Sequence, residues 1–189
     1  MKNFEPVLQR DRRERLAQIR NRLLIAALQD EDWVLWLDVG LTYYPADLLH
    51  QLLAARRDIV TANCLGPTGE PFDLNSFRLR RHGIETDGSV PRSEDCCRAL
   101  PAEPSLHGLR QPPPDGMRSY VDTYRSQPLL ELDAIGGTVL LVRADLHRNG
   151  LMFPTAPIDG FIETQGFSRV ARAQGLRSWA LPQLIVRHG

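Results

Sequence analysis

Residues Trp33-Val-Leu-Trp-Leu-Asp-Val-Gly-Leu-Thr-Tyr-Tyr-Pro45 decide the fold. The first five, Trp33–Leu37, are Trp, Val and Leu, a run too short for a helix and typical of a buried strand. Pro45 suits the first turn of a helix that continues to Ala55. The pattern predicts an α/β fold with Asp38 at the carboxyl end of a central strand, where open α/β sheets bind ligands. The alternative is that Asp38 only caps a turn.

Length and composition predict one soluble globular domain over residues 1–189. The formal net charge is zero, so no overall field favours nucleic acid or an anionic membrane. No run is apolar and long enough for a transmembrane segment or a signal peptide. Three cysteines, Cys64, Cys96 and Cys97, lack metal-type spacing. We therefore expect a reducing compartment and a cytoplasmic location.

Helical and extended patterns flank the opening stretch. From Arg10 to Gln29, apolar residues recur at helical spacing, and the charged residues fall mostly on the other face, which we interpret as solvated. These charged residues are Arg12, Arg13, Glu14 and Arg22. Asp58–Ala62 is predicted as a strand, followed by a loop at residues 63–67. From Arg78 to about Gln127, proline, glycine and serine predict a long irregular insertion, at about residues 78–128.

Regular structure is predicted again in the last third of the chain. Gly136-Gly137 precedes a predicted strand at Thr138–Val142, and the two glycines indicate either a close approach of the backbone to a ligand or a tight turn. Two helices and two short strands are expected after it: Ala144–Asn149, Ile162–Gly175, Ser178–Leu181 and Leu184–Arg187.

Four carboxylates and a histidine lie at the edges of the predicted elements: Asp38, Asp73, Asp133, Glu163 and His188. Oxygen ligands with one imidazole suit Mg²⁺ or Mn²⁺ better than zinc. Asn75 follows Asp73 closely and could face the same ligand. The sequence pattern alone does not establish that these residues share one site, because a loop aspartate commonly forms a turn and a single histidine commonly packs or is solvated.

Several blocks, in order, resemble the fungal mannan-polymerase family, glycosyltransferase family 62. They cover most of the chain outside residues 78–128. The blocks are Trp33–Asp38, Tyr44–Leu49, Asp58–Asn63, Phe72–Ser76, Glu131–Thr138, Gly150–Pro154 and Ile162–Phe167.

The resemblance implies a GT-A-like (Rossmann-like) mixed sheet flanked by helices. It implies transfer of mannose from GDP-mannose to a glycan hydroxyl, with retention and with Mn²⁺ or Mg²⁺. By position, Asp38 is the first acid of the family's Asp-x-Asp motif, and His188 completes the metal site. Asp73 and Asp133 match acids in the sugar and acceptor region, and Glu163 matches an acid of the Glu-Thr-Glu-type helix start. All three are expected to position the donor sugar and the acceptor hydroxyl. Asn75, Gly136 and Gly137 are expected to lie beside the donor.

The chain departs from the family pattern at three places. The second acid of Asp-x-Asp falls on Gly40, so the metal should bind weakly. The second acid of the Glu-Thr-Glu-type motif falls on Gln165. The family's first strands do not precede the first helix, so Trp33–Leu37 is expected near an exposed sheet edge that favours a protein partner or self-association. The alternative function is therefore a truncated or catalytically impaired homologue, acting as a binding or partner subunit or representing a gene fragment.

Overall fold

The structure is a computed structural model that describes residues 6–79 and 117–189, with the side chains of residues 6–9 excepted. Cys96, Cys97 and most of the predicted insertion lie outside the described residues.

Four α-helices and eight strands make up the described regular structure, together with a 3₁₀ turn at Val121–Tyr124. The helices are α1 (Pro6–Ala27), α2 (Leu48–Ala54), α3 (Ala144–Arg148) and α4 (Glu163–Ala173). The strands are β1 (Trp33–Leu37), β2 (Leu41–Tyr43), β3 (Ile59–Leu65), β4 (Phe77–Leu79), β5 (Arg118–Tyr120), β6 (Leu130–Leu132), β7 (Val139–Arg143) and β8 (Ser178–His188).

A mixed six-stranded sheet, flanked by helices, organises the molecule. Its order is β1-β7-β3-β8-β2, with β6 pairing to β8 off this path. The β3–β8 pair is parallel and the other pairs are antiparallel. A separate two-stranded sheet joins β4 and β5. The α/β class predicted from the sequence is thus confirmed.

The strand β1 lies at one edge of the described sheet. Trp33–Leu37 pairs with β7, and no second neighbour is described for it. The prediction of a central strand is therefore wrong, whereas the prediction of an edge position is confirmed. The centre is occupied by β3, whose seven residues are all buried, while four of the five β1 residues are only half-buried.

Alternate residues of the central strands fill two cores on opposite faces of the sheet. Ile59 packs on the face covered by α1, α3 and α4, around Phe153 and Phe167. Val60 packs on the other face, against Leu48 and Leu52 of α2. The sheet is therefore covered by helices on both faces, which leaves its strand ends open for a site.

The helix α1 buries only part of the apolar set predicted to pack, which was Leu16, Ile19, Leu23, Leu24, Ala27 and Leu28. Ala17 and Leu24 are buried, but Ile19 and Leu23 are each 52% exposed. Arg13, predicted as solvated, is half-buried. Because apolar residues occur on more than one side of this helix, their spacing does not identify the side that packs.

Several predicted boundaries are wrong because distant strands pair there. The predicted loop at residues 63–67 contains the end of β3, since Asn63, Cys64 and Leu65 pair with β8. The two predicted final strands are one strand, β8, and its register against β3 shifts between the pairs Ala62–Leu181 and Asn63–Ile185. Asn63 Nδ2 donates to Pro182 O at 3.1 Å beside this shift.

Two further predicted elements differ in extent. The region predicted to be irregular from Arg78 to about Gln127 holds strand residues at both ends, in β4 and β5. The helix expected from Pro45 begins at Leu48. None of the helices in the described ranges is long and apolar enough to cross a membrane.

The buried histidine His147 should make stability depend on pH. Its Nδ1 lies 2.7 Å from Leu151 O, Nε2 has no hydrogen-bond partner in the described part of the chain, and burial lowers its pKa. The unfolded chain takes up the proton near the ordinary value of 6.5, whereas the folded chain resists it. The free energy of unfolding should therefore fall as pH drops below about 6.5 towards the pKa of the folded state.

Denaturant titrations of His147→Gln between neutral and acidic pH test this expectation. Gln can still donate to Leu151 O but does not titrate, so the loss of stability with falling pH should be smaller than in the wild type. His50→Gln, at an exposed position of α2, is the matched control and should leave the slope unchanged. Equal slopes for wild type and His147→Gln would contradict the expectation.

Candidate functional site

One end of the sheet collects most of the predicted site residues. Asp38 follows β1, Asp73 follows β3, and His188 ends β8. Because β7 runs antiparallel to β1 and β3, the start of β7 lies at the same end. There Asp38 N donates to Thr138 O at 2.9 Å.

Arg20 is the cation at the centre of this site. Its Nη1 donates to Glu163 Oε1, and its guanidinium lies 5.7 Å from the Trp36 ring centroid and 5.3 Å from that of Phe153. Burial lowers the pKa of Arg20, while the charges of Asp38 and Asp73 act in the opposite direction. Arg20 thus joins the carboxylates of Asp38, Asp73 and Glu163 into one electrostatic cluster.

Glu163 begins α4 in an unusual backbone conformation. Its φ is 59°, in the left-handed region that non-glycine residues rarely adopt. The residue is 6% exposed, and its N donates to Pro154 O at 3.1 Å. Backbone strain of this kind persists only where the surroundings hold it, and it clusters at functional sites.

Asp73 is held by donors from its own loop. Asn75 N donates to Asp73 Oδ1 at 3.1 Å, and Ser76 Oγ donates to Oδ2 at 3.2 Å. Burial raises the pKa of Asp73, and the hydrogen bonds from Asn75, Ser76 and Thr138 only partly oppose this effect. The Asp73 carboxyl therefore favours its protonated form more than an exposed aspartate does.

The glycines 136 and 137 are required by close approach of charged side chains. A Cβ at Gly136 would lie 1.9 Å from Asp73 Oδ2, and one at Gly137 would lie 2.6 Å from Arg20 Nη2. Neither glycine has a positive φ, so backbone conformation does not explain them. Any side chain at Gly136 would push the Asp73 carboxylate away.

His188 and Asp38 form a second part of the site, in which Asp38 is exposed and His188 is half-buried. His188 Nε2 lies 3.6 Å from Asp38 Oδ1, which also accepts a hydrogen bond from Gly40 N at 3.0 Å. The His188 ring stacks on Phe72 with centroids 3.9 Å apart. A Cβ at Gly40 would lie 2.3 Å from His188 Nε2, so the ring occupies the space of a side chain at position 40.

Asp38 and His188 supply two side chains for a divalent ion. The described ranges contain no group of three or more His, Cys, Asp or Glu residues that could hold one. Hard cations such as Mg²⁺ are commonly bound by one or two carboxylates and completed by water and substrate phosphates. The pair therefore fits a weak ion site that substrate oxygens complete, and it does not fit a closed site built by the protein alone.

An amide cluster borders the carboxylates. Arg13 donates to Gln165 Oε1 at 3.1 Å and to Asn75 Oδ1 at 3.2 Å. Gln165 Nε2 also donates to Asn75 Oδ1, at 2.8 Å. Asn75 thus connects Arg13 and the start of α4 to Asp73.

The structure places Asp133 in a different set of contacts. Its Oδ1 accepts from Arg172 Nη1 at 2.9 Å, and its Oδ2 accepts from Leu79 N at 2.8 Å. Both oxygens already have donors, and none of the described contacts joins Asp133 to Arg20 or Glu163. A catalytic role for Asp133 stays a prediction.

Sequence patterns missed Arg13 and Arg20. Both lie on α1, seven residues apart, and Ala17 and Leu24 of the buried face follow each of them by four residues. An arginine four residues before a buried position lies on the same face of the helix as that position, and this spacing is the sequence signal that indicates Arg13 and Arg20.

Comparison with known proteins gives a consistent set of relatives. A profile of the Anp1 family matches residues 2–157. The Schizosaccharomyces pombe mannan polymerase complex subunit mnn9 is 32% identical over 184 residues, covering 95% of this chain and 53% of that protein. The Candida albicans mannan polymerase complex subunit MNN9 is 30% identical over 193 residues, covering 96% and 50%.

A more distant relative is the Saccharomyces cerevisiae mannan polymerase II complex ANP1 subunit. It is 28% identical over 191 residues, covering 94% of this chain and 36% of that protein. The chain spans about half the length, or less, of the curated relatives it matches.

Proposed function

Since the chain belongs to the Anp1 family, we propose that it transfers mannose from GDP-mannose to a glycan hydroxyl, with retention and with the help of Mn²⁺ or Mg²⁺. Mannose is chosen because the relatives are named as subunits of mannan polymerase complexes. A GT-A-type arrangement of the sheet is part of this proposal. The observation that carries it is the convergence of Asp38, Asp73 and Glu163 around Arg20, with His188 beside Asp38.

The second part of the site, Asp38 and His188, would hold the divalent ion. Bound there, such an ion supplies positive charge that stabilises a departing diphosphate. Asp38 contributes a carboxylate that Gly40 N orients through Oδ1. His188 is oriented by its stacking on Phe72 and by Gly189 O, 2.8 Å from Nδ1, so Nε2 remains directed towards Asp38.

The half-buried Asp73 and the buried Glu163 would orient sugar hydroxyls. Arg20 fixes the Glu163 side chain through Oε1, and the Gly136 backbone fixes the space in which the Asp73 carboxyl lies. Orientation matters because a displacement of about 1 Å at a reacting centre can cost roughly a hundredfold in rate. In this proposal both groups bind substrate directly, while Arg20 and Gly136 hold them in place.

A transfer assay with purified protein tests the proposal. We expect GDP-mannose and a mannose oligosaccharide to give a longer oligosaccharide, with retained anomeric configuration by NMR, only when Mn²⁺ or Mg²⁺ is present. A chelator should stop the reaction, and added metal should restore it. Failure to bind GDP-mannose even at millimolar concentration would refute the proposal for this chain.

Gly40→Asp should tighten Mn²⁺ binding by adding a second carboxylate to the ion site. The new side chain must first displace the His188 ring, because its Cβ would lie 2.3 Å from Nε2. Gly40→Ala is the matched control: it displaces the ring without adding a ligand and should weaken binding. Calorimetry with Mn²⁺ measures both variants, and equal affinity of wild type, Gly40→Asp and Gly40→Ala would mean that the ion binds elsewhere.

A second candidate function is that of a non-catalytic partner subunit. The relatives are named as complex subunits. In this chain α1 exposes Ile19 and Leu23, and β1 lies at an edge of the described sheet. Exposed apolar side chains and an edge strand, which has a described neighbour on one side only, both favour association with another chain. The transfer assay separates the two candidates, since a partner subunit alone would bind no donor and form no product.

A further inference from the structure

Arg13 carries a charge that no described carboxylate balances. Its described hydrogen bonds go to the amide oxygens of Gln165 and Asn75, which are neutral acceptors. Burial lowers the pKa of Arg13, and the like charges of Arg118 and Arg12 lower it further. A half-buried guanidinium among other guanidinium groups favours the approach of an anion.

The hydrogen bonds within the amide cluster leave mainly donors available. Asn75 Oδ1 already accepts from both Arg13 and Gln165, and Gln165 Oε1 accepts from Arg13. The Asn75 amide group, two N–H groups on Arg13 Nη1 and Nη2, and Arg13 Nε have no acceptor among the described residues. Asn75 is half-buried and Arg13 is half-buried, so these donors are held in place and still reachable.

We infer that Arg13, Asn75 and Gln165 form a binding site for a phosphoryl group beside the carboxylate cluster. A phosphoryl group offers several charged oxygen acceptors, which suits a guanidinium together with an amide donor. The site adjoins the carboxylates because Asn75 N donates to Asp73 Oδ1 at 3.1 Å. The inference rests on the proposed function for the substrate that carries the group, which is either the nucleotide donor or a phosphorylated glycan acceptor.

Gln165 is the residue that keeps this site open to an anion. A carboxylate at position 165 would lie where Oε1 now accepts from Arg13, at 3.1 Å, and would form an ion pair with it. Such an internal partner would neutralise Arg13 without removing it. Gln165→Glu therefore adds a negative charge to the site while keeping the side-chain size and the Arg13 contact that ties α1 to α4. It also removes the hydrogen bond that Gln165 Nε2 donates to Asn75 Oδ1.

The affinity of the site for inorganic phosphate can be measured by titration in the presence of a chelator, with NMR or calorimetry as the readout. We expect wild type to bind phosphate in the millimolar range, and Arg13→Gln and Gln165→Glu each to weaken binding by at least about tenfold. Two variants with the same changes of charge serve as controls and should bind as wild type does. They are Arg148→Gln, at an arginine that donates to Gln29 O and Glu31 O, and Gln174→Glu, at the exposed end of α4.

A second set of titrations identifies the substrate. GDP is compared with guanosine, and mannose 6-phosphate with mannose, in wild type and in Gln165→Glu. A loss confined to GDP assigns the site to the donor, and a loss confined to mannose 6-phosphate assigns it to the acceptor; either result supports the phosphoryl site. If Arg13→Gln does not fold, Gln165→Glu, which keeps the Arg13 contact, decides alone.

Two results would overturn the inference: no phosphate binding by wild type, or unchanged binding in Arg13→Gln and Gln165→Glu. Its failure is distinguishable from failure of the proposed function, because phosphate binding requires neither the divalent ion nor turnover. If the wild type binds phosphate, Gln165→Glu does not, and neither transfers mannose, the phosphoryl site is supported and the proposed transferase function is refuted. Mannose transfer without phosphate binding would support the proposed function and refute the phosphoryl site.

Discussion

Asp38→Asn should lower the rate of mannose transfer by at least about a hundredfold, the cost typical of removing one group that stabilises charge in a transition state. Asp38 is the carboxylate beside His188, and Asn in its place removes the negative charge that would hold the ion. The fold should survive, because the amide oxygen of Asn can still accept from Gly40 N. Initial rates at saturating GDP-mannose and metal measure the effect.

The matched control is Asp47→Asn, an exposed carboxylate just before α2 that accepts from Gln51 Nε2. It removes the same charge at a distance from the cluster and should leave the rate close to that of wild type. Thermal unfolding of both variants separates a chemical defect from a folding defect. If Asp38→Asn transfers mannose at the wild-type rate, Asp38 is not part of the ion site.

Arg20→Gln should destabilise the protein by about 3–5 kcal/mol, the range for breaking a buried ion pair on one side. The Arg20 and Glu163 side chains are only 19% and 7% exposed. Without the guanidinium, the Glu163 carboxylate stays buried with no cation bonded to it. Denaturant unfolding monitored by tryptophan fluorescence measures the change, with Trp36 next to Arg20 as a reporter.

Removing both charges should recover much of that loss. In the double variant Arg20→Gln with Glu163→Gln, no uncompensated charge remains at this pair, so a double-mutant cycle isolates the coupling between them. Arg143→Gln is the control, since its partners Asp58 and Asp145 are exposed and such pairs contribute little. Additive effects of the two single substitutions would mean that Arg20 and Glu163 do not depend on each other.

Local pattern was sufficient where a segment's own residues determine its structure. Five consecutive apolar residues predicted β1, and the helix α4 ends just before Gly175, as the glycine indicated. Pairing between distant segments was not predictable in this way. Asn63–Leu65 has polar and turn-like neighbours, but its partner in β8 makes it a strand, and Pro182 interrupts the apolar pattern of β8 without ending it.

The site was predictable as a set of residue types but not as an arrangement. Their position at the edges of predicted elements identified Asp38, Asp73 and Glu163 as candidates, since carboxylate oxygens there suit a divalent ion. Their shared cation could not be found in the same way. Arg20 was hidden among the many charged residues of α1, and only packing determines which of those charges lies inward.

The position of β8 in the sheet determines the order in which the strands can pair during protein synthesis. The strand β8 pairs with the central strand β3, as in the pair Val60–Trp179, and β8 is translated after every other strand of the described sheet. While β8 is still in the ribosome, β1, β7 and β3 can pair, but one side of β3 remains an open edge with buried-type side chains. An open edge of this kind favours misassociation of the nascent chain, and a ribosome that stalls before Ser178 leaves that edge uncovered.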